Sequence, residues 1–290
     1  MIRTASQLAV KALILAVSLI AATAQAPKKV FVISDLEGVD GIFDFDLQCI
    51  PYQSPRYRES QKFLTDEVNA AVEGLREGGA TEVVVYDGHA GGRNLSTLDI
   101  QPQVRLLVGG PISPTLELDA SYSAVIFIGL HAMAGTAKAI LPHSYTWDIQ
   151  NIWVNGKGTG EIGGRTMLAG YFGVPVIMLS GDRAACDEFH DLVPNGECAE
   201  VKSGVSGSAG LMLPHAAACA LIGQQARSAI ERVAGFKPYR VSGPVEVKVE
   251  FTTSASRTFA RRDGVEQLDA RTWAFRGENI LDAWLKYSSF

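Results

Sequence analysis

Val30-Phe31-Val32-Ile33-Ser34 runs straight into Asp35-Leu36-Glu37-Gly38. The pattern returns twice. Glu82-Val83-Val84-Val85-Tyr86 stops at Asp87-Gly88-His89, and Ala124-Val125-Ile126-Phe127-Ile128-Gly129-Leu130 stops at His131. Short continuous apolar runs read as strands buried on both faces, the kind found in parallel sheets. In open α/β sheets the carboxyl ends of such strands are where sites are built. Each of these three ends delivers a carboxylate or an imidazole, the ligand types of a zinc enzyme. The chain therefore reads as an α/β metal-dependent hydrolase.

With 290 residues, 47% of them hydrophobic, the chain can bury a large core. Its net charge of −5, with no block of Lys or Arg, argues against a nucleic-acid partner. The N-terminus has the parts of an export leader. Arg3 and Lys11 make a positive n-region, Ala12 to Ala22 an apolar h-region too short to span a bilayer, and Ala22-Thr23-Ala24 an A-x-A cleavage site. Residues 1–24 are thus expected to be removed, leaving no stable membrane anchor and a periplasmic or secreted protein. Outside the cytoplasm Cys49, Cys186, Cys198 and Cys219 can form disulfides, in any of three pairings. Cys219, in an Ala-rich stretch, reads as a plain buried thiol.

Strand-like and helix-like segments alternate past the leader. Ser54 and Pro55 read as the start of a helix carrying Leu64, Val68, Val72 and Leu75 on one face and ending at Gly78-Gly79. Further strands are expected at 104–108, 152–154 and 174–179, and helices at 161–171, 183–192 and 212–233. Beyond Gly235 the texture changes. Val245 to Phe251 alternates strictly, as a half-buried strand does, and a short strand at 272–275 precedes a helix at 278–287. The expectation is a layered α/β/α core over 25–235 and a smaller C-terminal α+β part over 236–290, packed on it.

Asp35 and Glu37 are two residues apart, so in an extended segment both carboxylates point to the same side. His89 and His131 end separate strands that parallel packing would bring together. His143, in Leu141-Pro142-His143-Ser144, sits on a Pro-shaped loop that can reach back over the site. His190 and His215 read as structural. Gly158-Thr159-Gly160-Glu161-Ile162-Gly163 matches G-x-G-x-x-G, follows a short strand, opens a helix and has Asp182 about twenty residues on. That is the context of a dinucleotide fingerprint, and a dinucleotide-binding protein using Gly158, Gly160 and Gly163 is the alternative reading. Against it, Glu161 would set a carboxylate beside a pyrophosphate, at a helix end that favours anions. Glu161 is better read as a metal ligand.

These stretches, with Val154-Asn155-Gly156 and Ala169-Gly170-Tyr171-Phe172-Gly173-Val174-Pro175-Val176, resemble in order and spacing the bacterial zinc-dependent D-aminopeptidases, the type encoded with dipeptide transport. The resemblance covers about Val30 to Val233. It implies an α/β fold, two zinc ions per subunit, and Asp35, Glu37, His89, His131 and Glu161 as ligands, with Asp35 the bridge. It makes His143 the catalytic histidine, a role described as nucleophilic; on chemical grounds His143 is better read as moving a proton or stabilising the oxyanion while metal-activated water attacks. It also implies a homo-oligomer, a decameric ring with its sites facing an inner chamber. Arg165 stands where the resemblance leads one to expect Asn. The substrates implied are short peptides with an N-terminal D-amino acid, and export points to D-Ala peptides from cell-wall turnover. The substrate amine would rest on a carboxylate such as Asp87 or on the metal, with the side chain beside the Gly163-Gly164 backbone. A non-catalytic metal-binding protein of the same fold is the alternative from another class.

Overall fold

The structure, a computed structural model, describes residues 28–110, 115–254 and 257–288, so the expected leader lies outside the described residues. The strands are β1 (Lys29–Ser34), β2 (Glu82–Asp87), β3 (Val104–Leu107), β4 (Ala124–Leu130), β5 (Ile149–Val154), β6 (Lys157–Thr159), β7 (Val176–Asp182), β8 (Glu197–Ser206), β9 (Ala209–Met212), β10 (Val245–Phe251), β11 (Val265–Gln267) and β12 (Thr272–Gly277). The helices are α1 (Phe45–Gln48), α2 (Tyr57–Glu77), α3 (Glu161–Tyr171), α4 (Arg183–His190), α5 (His215–Glu231) and α6 (Ile280–Ser288).

Seven strands form one sheet in the order β3-β2-β1-β4-β7-β8-β9, parallel except for the β8–β9 pair. From β1 the chain builds outward to β2 and β3, then crosses to β4 on the other side. β1 and β4 therefore flank the switch point, where the crevice of a doubly wound sheet opens. Every residue of β4 and β7 is buried, as their unbroken apolar runs require. Cover comes from two helix pairs, α2 with α5 and α3 with α4.

A second, antiparallel sheet runs β11-β12-β10-β5-β6. β5 precedes residue 235 yet pairs with β10 through Val154↔Val247 and Ile152↔Val249. The expected boundary at 235 is thus crossed by hydrogen-bonded strands. α3 lies between the two cores: Ile162 and Ala169 pack into the first, and Met167 and Leu168 join Val247, Phe275 and Trp284 in the second.

Local expectations change in four places. α2 begins at Tyr57, because the Ser54 hydroxyl is engaged elsewhere, accepting from Ile50 N and donating to Asp46 O. α5 begins at His215, after Pro214 in extended geometry. The hairpin β8–β9 was not expected, since its Lys, Ser and Gly residues mask any alternation. Finally, Cys186 of α4 pairs with Cys198 of β8, while Cys49 and Cys219 are free thiols and Cys219 is only half-buried. No helix among the described residues is long and apolar enough to cross a membrane.

Candidate metal centre

Asp35 leaves β1 with its amide bonded to Ile128 O, and Gly38 donates to Gly129 O, so the loop after β1 lies on the end of β4. The approach is too close for side chains. A Cβ on Gly38 would lie 2.0 Å from Leu130 O, and Gly129 has φ +72°, a conformation that favours glycine. The loop thereby sets Asp35 and Glu37 between His89, from the end of β2, and His131, from the end of β4. His89 Nδ1 lies 3.2 Å from Asp35 Oδ1 and 3.0 Å from Glu37 Oε2. His131 Nε2 lies 3.4 Å from Asp35 Oδ2 and 3.3 Å from Glu161 Oε1. Glu161 projects from the first residue of α3 and accepts from Tyr145 N. All five side chains are buried.

His143 comes from a loop with two left-handed residues, Leu141 (φ 54°) and Tyr145 (φ 60°), a costly conformation for such side chains. Its ring stacks between His131, 3.9 Å away centre to centre, and Trp147, 4.5 Å away. Phe45 meets the Trp147 ring edge-on at 5.1 Å. Phe45, His143, Tyr145 and Trp147 bound a cavity of about 270 Å³ that opens onto Asp35, Glu37, His89 and Glu161.

Each of the three histidines has one ring nitrogen tied to a backbone carbonyl: His89 Nε2 to Cys49 O, His131 Nδ1 to Ala132 O and His143 Nδ1 to Leu141 O. When those nitrogens donate, His89 Nδ1, His131 Nε2 and His143 Nε2 are left to present lone pairs inward, the arrangement that fixes metal-binding tautomers. Glu37 Oε2 and His131 Nε2 are buried with no well-oriented hydrogen-bond partner. Ligand atoms gather into two groups within 4.8 Å, Asp35-Glu37-His89 and His131-His143-Glu161. Buried orphan atoms and a mixed N/O donor set fit zinc. His143 thus stands within reach of the second group as well as facing the cavity.

The electrostatics agree. Burial disfavours the charged form of His89, but Glu37 and Asp35 outweigh it and raise its pKa well above the usual imidazole range. His131 behaves likewise under Asp35 and Glu161. Burial opposes ionisation of Asp35, yet His131 and His89 hold it well below the usual carboxylate range. A field that concentrates protons on buried imidazoles is one that a divalent cation can exploit by displacing them.

Three expectations are corrected. Asp87 does not face the cavity: it is fully buried, and its oxygens accept from Asn94 N, Leu95 N and Asn94 Nδ2, so it shapes the loop that carries His89. No space lies beside Gly163-Gly164, where added Cβ atoms would come within 1.9 Å of Thr159 Oγ1 and 2.5 Å of the Tyr145 hydroxyl. The dinucleotide context is also absent. β6 is an edge strand of the antiparallel sheet, and Asp182 is fully buried, capping α4 through Ala185 N and accepting from Ile140 N.

Sequence reasoning missed Lys202. Its buried ammonium, on β8, donates to Glu37 O, Val39 O and Ile42 O at 2.6, 2.7 and 2.6 Å, pinning the loop that carries Glu37. Burial pushes its pKa down to about 8. No local signal marks it, since its three acceptors lie some 160 residues away in the chain.

Comparison with known proteins identifies the family. A family model described as D-aminopeptidase, peptidase family M55, matches residues 28–287. The chain belongs to the D-aminopeptidase family. It is a metallo-aminopeptidase, which removes both the dinucleotide-binding and the non-catalytic alternatives. The D-aminopeptidase of Bacillus subtilis (strain 168) is 28% identical over 260 residues, covering 88% of this chain and 94% of that one. Among solved structures, the zinc-dependent D-aminopeptidase DppA from Bacillus subtilis, described as a self-compartmentalizing protease, superposes with a TM-score of 0.83. It is 27% identical, with 89% of this chain and 95% of that chain covered.

Proposed function

We propose that this D-aminopeptidase is an exported enzyme that holds two zinc ions per subunit and hydrolyses short peptides with an N-terminal D-residue, D-Ala peptides from cell-wall turnover among them. The observation that carries the two-metal reading is Asp35: one oxygen faces His89, the other faces His131, so a single carboxylate addresses both ligand groups. Glu37 and His89 complete the first group; His131 and Glu161, with His143 in reach, make the second. Zinc held there supplies Lewis acidity towards a peptide carbonyl and acidifies water at neutral pH.

His143 supplies the mobile proton. Its Nδ1 is tied to Leu141 O, while Nε2 faces the cavity 3.9 Å from Glu37 Oε1. Stacking between His131 and Trp147 holds the ring in that plane. The export reading is supported by the leader-like N-terminus and by the Cys186–Cys198 disulfide, which is at home in an oxidising compartment. A homo-oligomeric ring, proposed here as a decamer, is supported by the description of DppA as self-compartmentalizing.

The deciding experiment joins two measurements on mature protein purified without chelators. Metal analysis should give two equivalents of zinc. The ratio kcat/KM for D-Ala-D-Ala against L-Ala-L-Ala should favour the D-dipeptide by about 10²-fold, the size of effect expected when a reacting centre is displaced by ~1 Å. One equivalent of metal refutes the bridging role of Asp35, and equal or better cleavage of the L-dipeptide refutes the substrate class.

A further inference from the structure

Among the described residues Arg165 forms no ion pair, and the carboxylates of Glu161 and Asp35 act on it only from a distance. It lies four residues beyond Glu161 on α3, one helical turn along the same face. Its guanidinium sits between the rings of Tyr86 and Tyr145, with centroid distances of 5.6 and 5.7 Å. Its Nε is shut off from solvent and has no hydrogen-bond acceptor, and the adjacent Tyr145 hydroxyl is likewise buried without a partner. Among the described residues no carboxylate comes within ion-pair distance of it. An unpaired charge is expensive to enclose, even after the surroundings relax. Two aromatic faces offset part of that cost. They also hold the planar fork in one orientation, with the Tyr86 hydroxyl within hydrogen-bond reach of it and Nε left without an acceptor.

Tyr145 and Glu161 line the metal cavity, and so does Gly88, against which the Tyr86 ring packs. Arg165 therefore stands directly behind one side of the cavity wall. The site beside it, with two zinc ions and the carboxylates of Asp35, Glu37 and Glu161, would carry net positive charge before Arg165 is counted. A short peptide brings one anion, its C-terminal carboxylate. We propose that Arg165 is a specificity-determining residue that receives this carboxylate, so that dipeptides with a free C-terminus are the preferred substrates.

The spacing suits a dipeptide. From Glu161 to Arg165 the helix rises about 6 Å. One residue of extended peptide spans about 3.5 Å, and the carboxylate itself reaches further. A carbonyl held at the ligand group containing Glu161 is thus one helical turn from the position of Arg165, a span that one residue with its carboxylate matches better than two. Arg is the side chain suited to planar, bidentate recognition of a carboxylate. The Asn that the family resemblance led one to expect at this position carries no charge for the task.

This inference rests on the aminopeptidase reading, and the test separates the two. Steady-state kinetics of the zinc-loaded mature enzyme are measured on D-Ala-D-Ala and on its C-terminal amide, for the wild type, Arg165→Asn and Arg165→Lys. The wild type should prefer the free acid by about 10- to 100-fold, mostly through KM. Arg165→Asn should abolish the preference by losing rate on the acid alone, with zinc content unchanged. Arg165→Lys, keeping charge without the fork, should retain part of it. Equal activity of the wild type on acid and amide, or an equal fall on both substrates in Arg165→Asn with the fold intact by circular dichroism, overturns the role of Arg165. No cleavage of either substrate by the wild type overturns the D-peptide reading instead.

Discussion

Replacing Lys202 with Met tests whether a residue that touches no metal builds the metal site. The substitution keeps the apolar stem and removes the ammonium, orphaning the carbonyls of Glu37, Val39 and Ile42. Hydrogen bonds from a charged donor are worth about 1.5–3 kcal/mol each. Three of them set a gross loss of roughly 5–9 kcal/mol. Two effects reduce it. The downward displacement of the Lys202 pKa from 10.5 to about 8 means that enclosing the charge costs on the order of 3 kcal/mol, which Met avoids. Water entering the vacated space can satisfy part of the carbonyl set. A net destabilisation of about 2–4 kcal/mol is expected, measurable as a lower denaturant midpoint at unchanged slope. Glu37 lies on the released loop, so zinc affinity should also fall about 10- to 100-fold in competition with a chelator, the range seen when a group supporting a metal ligand is removed. If Lys202→Met is as stable as the wild type and binds zinc equally well, the pinned loop is not what organises the ligands.

His143→Ala should keep near-normal zinc while kcat falls by ~10²–10⁴-fold; parallel loss of zinc would make His143 a ligand of the second group. His215 bridges Asp40 at 2.8 Å and Asp66 at 3.1 Å. Burial opposes its charge, but those carboxylates raise its pKa above the usual imidazole value. The folded state therefore binds the proton more tightly than the unfolded chain. This stabilisation is fully present below about pH 6.5 and is lost as pH rises through the raised folded value. The stability gap between wild type and His215→Gln should be widest in acid and close on the alkaline side; a gap independent of pH would refute the ionic role. Intact-mass analysis of protein from the periplasmic fraction should find Gln25 at the N-terminus, and only full-length chain in the membrane would refute leader removal.

Much of the site can be read from the chain because parallel sheets turn a one-dimensional pattern into a place. An apolar run buried on both faces must be a central strand, and its last residue must lie on the edge where the neighbouring strands also end. That logic alone brings Asp35, Glu37, His89 and His131 to one edge, and β1, β2 and β4 do lie side by side. β10, whose alternation spells out one buried face, is read to the residue.

What the sequence left open depends on partners that no local period encodes. The glycines around Glu161 fit a nucleotide loop, and only the charge of Glu161 speaks for a metal site in the string of letters. The choice falls to β6 pairing antiparallel with β5, which removes the parallel unit a dinucleotide needs. Asp87 and His89 are both polar residues near one strand end, yet Asn94 and Leu95 fold back to occupy the first and leave the second facing the metal cavity. Four cysteines allow three pairings until α4 packs on β8 and sets the Cα atoms of Cys186 and Cys198 5.8 Å apart. Nothing in the string marks Lys202, and Arg165 stands out only as a departure from the resemblance, because side-chain type tells charge but not enclosure. Only the packed chain shows that one ammonium is surrounded by three carbonyls of the ligand loop and that one guanidinium, among the described residues, lies between two tyrosine rings without an ion pair.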